Sequence, residues 1–76
     1  MEDISDRIEI DPEILSGKPV IKGTRIIVSD LLSQLAKGET SNDLKHGYPG
    51  LTDDDIRAAL EYAAATLNNV EVDDLT

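Results

Sequence analysis

Lys18, Lys22 and Arg25 stand close together in "GKPVIKGTRIIV", residues 17–28, around Gly23 and Thr24. These residue types suit an anion. A Gly turn flanked by Lys, Thr and Arg presents backbone N–H groups, a hydroxyl and a forked guanidinium to a phosphate. The same residues suit a turn that only builds the fold. Gly23 supplies the positive φ of a tight hairpin, Thr24 satisfies a neighbouring backbone group, and Arg25 pairs with one of the chain's many acids. Both roles remain open at this level. Lys37 is the remaining cation of the middle segment, so the candidate anion or DNA contacts are Lys18, Lys22, Gly23, Thr24, Arg25 and Lys37. The G-x-x-x-x-G-K-[ST] spacing of a P-loop is absent, which argues against nucleotide binding of that type.

Other chemistry is poorly provided for. His46 is the single histidine and cysteine is absent, so a thiolate metal site is excluded and His46 is better read as a partner for helix-end carbonyls than as a ligand. Asp53, Asp54 and Asp55 lack the alternation and Gly of an EF-hand loop. No nucleophile–base pair stands out. The expectation is a non-enzymatic protein with no cofactor and no catalytic or metal-binding residue.

Charge is distributed unevenly. The net charge of −9 divides into −5 over residues 1–13, +3 over 14–38 and −7 over 39–76. An acidic exterior repels nucleic acid at long range and attracts a basic partner, although solubility or a salty cytoplasm would explain it equally. "VEVDDLT" alternates apolar and acidic residues, and Val70, Glu71, Val72, Asp73 and Asp74 form a candidate partner-binding segment that could add a strand to another protein or fold upon it. An ordinary flexible terminus is the competing reading.

The elements that must position these residues follow from periodicity and punctuation. "IEI", residues 8–10, alternates and reads as a short strand before an irregular "DPEILSGKP" loop. "VIKGTRII" reads as a β-hairpin turning at Lys22–Gly23–Thr24. Ser29 is the expected N-cap of a first helix with Leu31, Leu32, Leu35 and Ala36 as its stripe, closed by Gly38. Thr40 caps a second helix in an Asp43 version of the capping box, ending at Gly47 and Pro49. Thr52 caps a third, with three Asp residues at its positive end and Ile56, Ala59, Leu60, Ala63, Ala64 and Leu67 as its buried face. The expected organisation is one small helix-turn-helix-like domain over residues 1–69, with an N-terminal β-hairpin, and an acidic flexible tail over 70–76. The expected fold class is mainly α, a three-helix homeodomain-like or winged helix-turn-helix bundle.

The core is aliphatic and thin: nine Leu, eight Ile, six Ala and four Val, with no Phe or Trp. A chain of this size without disulfides is expected to gain stability as a homodimer. "MEDISDRIEI" is acidic where a signal peptide needs a basic start and an apolar run, and no apolar run is long enough to span a membrane, so a cytoplasmic location away from membranes is expected.

"IDPEILSGKPVIKGTRI", an apolar helix ending at Gly38, and "YPGLTDDDIRAALEYA" together resemble the bacterial and archaeal domain-of-unknown-function family 433 from about Ile8 to Ala65. The resemblance implies a small helix-turn-helix-like protein and marks Gly17, Lys18, Pro19, Gly23, Thr24 and Arg25 as the family signature. It also implies an antitoxin encoded beside a PIN-like ribonuclease, neutralising the toxin by occlusion and binding its own promoter in the complex. Alternatives are a stand-alone DNA-binding transcriptional regulator and a non-catalytic dimeric interaction module. DNA contact is expected only through the basic middle segment. Carboxylates at the start of the third helix would face phosphates if that helix entered the major groove.

Overall fold

Alternation in "IEI" and the β-branched pair Val20–Ile21 place two short strands side by side, and the chain's first residues add a third. The computed structural model describes residues 2–68. Strands β1 (Glu2–Ser5), β2 (Ile8–Ile10) and β3 (Val20–Ile21) form one antiparallel sheet in that order, with Ile8 opposite Ile21 and Glu9 opposite Val20. β1 was not expected. Its Glu and Asp are poor strand formers, and Asp6–Arg7, which turns it into β2, carries no Gly to announce a hairpin.

The turn expected at Lys22–Gly23–Thr24 is present, with Gly23 at φ +80 and the Thr24 N–H donating to the Ile21 carbonyl at 3.0 Å. Its return arm is shorter than a full strand. Only Ile27 bridges back to Val20, because Val28 already begins a helix.

Helix α1 runs Val28–Ala36, α2 Ser41–Gly47 and α3 Asp53–Asn68. Ser29 does not cap α1; that position belongs to Ile27, without a side-chain bond. The chain is held there from outside, since the Val28 N–H donates to the Pro19 carbonyl at 2.9 Å, and Ser29 is left exposed within the first turn. Of the expected stripe, Leu31 is buried and Leu32 and Leu35 are partly so, whereas Ala36 is exposed. Gly38, at φ +99, closes the helix in a Schellman motif: its N–H donates to the Leu35 carbonyl at 3.0 Å and the Glu39 N–H to the Gln34 carbonyl at 3.1 Å.

The α2 capping box forms as the sequence suggests. Asp43 N–H donates to Thr40 Oγ1 at 3.1 Å, and Thr40 N–H to Asp43 Oδ2 at 2.9 Å. Leu44 is the buried side chain of this helix. α1 packs on α2 and α3, and α3 also lies against β1 and β2. Ile8 and Ile21 from the sheet, Leu31 from α1, Leu44 from α2, and Ile56 and Ala59 from α3 meet in a single core. The architecture is mainly helical, three helices with a small antiparallel sheet, as the sequence implies.

α3 forms as expected, but its buried face is turned. Asp55, Ile56, Ala58 and Ala59 are buried, whereas Leu60 is 48% and Leu67 67% exposed and Ala64 is also exposed. The fully buried residues of this 16-residue helix lie in its first two turns, and Tyr62 in the third is partly buried against the core.

Candidate interaction surfaces

The family-like stretch begins with an irregular loop under tight backbone control. Asp11 Oδ1 accepts the Glu13 N–H at 2.9 Å, and Leu15, Ser16 and Gly17 then take positive φ in succession, at 49, 60 and 83°. Two of these three residues have a Cβ, for which the left-handed region costs about 1–2 kcal/mol each. The reversal aims Lys18–Pro19 straight into β3.

The anion-binding and structural readings of the next turn now separate atom by atom. Thr24 Oγ1 donates to the Ile21 carbonyl at 2.7 Å and accepts from the Ile26 N–H at 2.9 Å. Lys22 N–H donates to the Arg7 carbonyl at 2.8 Å. The Thr24 hydroxyl and the N–H groups of Lys22, Thr24 and Ile26 are therefore engaged inside the fold. Lys22 and Arg25 are the exposed basic residues of the turn. Lys18 is exposed just ahead of β3, and Lys37, the C-cap of α1, lies about 14 Å along the helix axis from Val28. Lys22 and Arg25 share one turn, while Lys37 stands at the far end of α1.

Arg7 is the residue that sequence reasoning passed over. Its Nη1 donates to Asp55 Oδ1 at 3.1 Å and its Nη2 lies 3.6 Å from Asp54 Oδ2, while its carbonyl takes the Lys22 N–H. Asp55 also completes a capping box: its N–H donates to Thr52 Oγ1 and its Oδ2 accepts from Thr52 N–H, both at 3.1 Å. One arginine thus ties the β1–β2 turn, the signature turn and the start of α3. The available signal was that Arg7 is the single cation among six acids in residues 1–13. Asp53 pairs with Lys45 at 3.0 Å. Asp54 also approaches Arg57 at 3.9 Å, and these two line a mixed-charge cleft of about 350 Å³ with Asp6, Arg7 and Glu61.

Asp43 at the start of α2 is held below the ordinary carboxylate range by hydrogen bonds to the Thr40 backbone and then to its side chain, with a smaller contribution from His46. His46 Nδ1 meets the Asn42 carbonyl at 2.8 Å, one turn back near the start of α2 and not among the last carbonyls of the helix, where its partner was expected. Among the described residues no group of three or more His, Cys, Asp or Glu is placed to hold a metal. None of the described helices is long and apolar enough to cross a membrane.

A second surface was not anticipated. Pro19, Val28, Leu32, Tyr62, Ala63 and Leu67 line an open, almost wholly apolar groove of about 320 Å³ between the start of α1 and the second half of α3. The segment Val70–Asp74, a candidate from sequence, lies outside the described residues.

Residues 8–63 match the family described as protein of unknown function DUF433. The chain belongs to the DUF433 family. Its fold matches the crystal structure of a DUF433 member from Anabaena variabilis ATCC 29413 with a TM-score of 0.78 and 33% identity, over 84% of this chain and 63% of that one. It is 35% identical over 68 residues to the uncharacterized protein y4eO of Sinorhizobium fredii (strain NBRC 101917 / NGR234), covering 86% of this chain. The chain spans 31% of that relative's length.

Proposed function

We propose that this DUF433 chain is a non-catalytic cytoplasmic binding module acting as an antitoxin, which neutralises a PIN-like ribonuclease by covering its RNA-binding face. The observation that carries this reading is the charge at the start of α3. In a helix-turn-helix the second helix brings its first residues to the bases. Here that position presents Asp53 and Asp54, with side chains 67% and 61% exposed. Carboxylates there are unsuited to phosphates and complementary to a surface built to attract them.

The test is co-purification with a PIN-like protein encoded next to this chain, followed by a ribonuclease assay with and without it. Stoichiometric inhibition is expected. Asp53→Asn with Asp54→Asn slows association about tenfold at low salt and much less at high salt, as a charge-steered encounter requires. Undiminished ribonuclease activity in the presence of excess chain rejects the reading.

A stand-alone or co-repressing DNA contact is supported by a different observation, the exposure of Lys22 and Arg25 on one turn. Promoter binding that survives Lys22→Ala with Arg25→Ala in a folded protein removes that turn from any operator contact.

A further inference from the structure

We infer that the second half of α3 is a self-association surface, on which a second copy of this chain lays its own α3 antiparallel across a two-fold axis passing between Ala63 and Ala64. The inference does not depend on the antitoxin reading, which uses the opposite end of the helix.

The first argument is the order of the side chains. "LEYAAATL", residues 60–67, places Leu60, Ala63, Ala64 and Leu67 in the pattern L-x-x-A-A-x-x-L, which reads the same in both directions. An isologous contact requires that property, because residue i must meet residue j while j meets i. Antiparallel pairing about the centre sets Leu60 against Leu67 of the second copy and Ala63 against its Ala64. The small residues let the backbones approach where the helices cross, and the leucines close over them at either side.

Exposure and charge point to the same segment. Leu60 and Leu67 are the large hydrophobic side chains left exposed among the described residues, at 48% and 67%. They lie seven residues apart, hence within about 20° of each other around the helix. The groove bounded by Leu67 and Ala63 continues the apolar surface to Pro19, Val28 and Leu32. A chain of net charge −9 repels a second copy over most of its exterior. From Ala58 to Asn68, however, the one charged residue is Glu61, about 100° around the helix from Leu60. This is the stretch where two such chains can meet without opposing carboxylates.

The size of the patch sets the strength. Three turns of α3 and the adjoining edge of α1 offer a footprint of roughly 300 Å² per copy, typical of a functional surface patch but below a standard stable interface. The pair should therefore form and dissociate with concentration.

Sedimentation equilibrium of the unmodified protein should show the weight-average mass rising from 8.3 kDa toward twice that value as concentration approaches about 1 mM. Leu60→Glu with Leu67→Glu, at positions exposed in the single copy, should keep the circular dichroism spectrum and melting temperature and raise the dissociation constant at least about tenfold. Because the chain lacks cysteine, single introduced thiols report the geometry. Ala64→Cys lies beside the axis and should form a disulfide-linked dimer on mild oxidation, whereas Leu60→Cys should not, being well beyond the roughly 6 Å Cα separation a disulfide allows. A protein that stays monomeric throughout overturns the inference, as does a dimer indifferent to the two Leu→Glu changes. Efficient cross-linking of Leu60→Cys to itself overturns the antiparallel arrangement.

Discussion

Arg7 holds together parts of the chain that its neighbours in sequence do not connect. Its guanidinium reaches Asp55, a residue 48 positions away whose side chain is only 12% exposed, and its carbonyl anchors Lys22. Arg7→Ala leaves Asp55 with its cap but without its cation. It should cost about 1–2 kcal/mol in urea unfolding, the range of a hydrogen bond to a charged group that is partly screened by water. Arg7→Lys should recover only part of this, since an ammonium cannot span two carboxylates as a fork does. In a double-mutant cycle with Asp55→Asn the losses should be less than additive, and strict additivity would show that the two side chains do not act together. The difference between what was legible at this scale and what was not is one of range. Thr40 with Asp43, and Thr52, could be read directly, because a cap and its donor lie three residues apart. The Arg7–Asp55 pair could not, because only the fold brings its members together.

Each helix shows how far local signals reach. The capping residues and Gly38 mark where α2 and α3 begin and where α1 ends, whereas α1 begins one residue earlier than its best cap because Pro19 supplies a carbonyl from another element. The face that α3 buries was not legible, since Leu60 and Ala59 are equally compatible with the period and only the positions of α1 and the sheet choose between them. α2 offers a test at this scale. Asp43 has its pKa lowered in the folded chain by its bonds to Thr40, so it binds a proton less readily there than when unfolded. Stability from this cap is therefore fully present above the ordinary carboxylate range, about pH 4, and is lost as pH falls through the lowered folded value. Thermal melts of the wild type and Asp43→Asn should differ near neutrality and converge in acid; a constant difference would mean that the charge of Asp43 contributes nothing.

At the scale of the whole chain, sixteen acids stand against seven lysines and arginines in a protein with a small aliphatic core. Its exposed ion pairs, such as Asp54 with Arg57 at 3.9 Å, contribute little, and general repulsion outweighs them. Raising salt from about 0.05 to 0.5 M should increase the melting temperature by a few degrees as screening shortens the reach of that repulsion. A decrease would mean that the local pairs dominate. The sequence made the acidity plain, along with the helices and the turn at Gly23. It did not disclose that Arg7 clasps the start of α3, nor that Leu60 and Leu67 of α3 are left exposed.

The clasp between Arg7 and the head of α3 also bears on time. The helices and their caps are closed by contacts a few residues apart, which a chain finds quickly, but Arg7 meets Asp55 only after both ends of the fold are in place. Such a contact is expected to form after the transition state for folding, so that Arg7→Ala gives a φ-value near zero. Its loss should then shorten the time a folded molecule persists before opening, and leave almost untouched how fast the fold is reached.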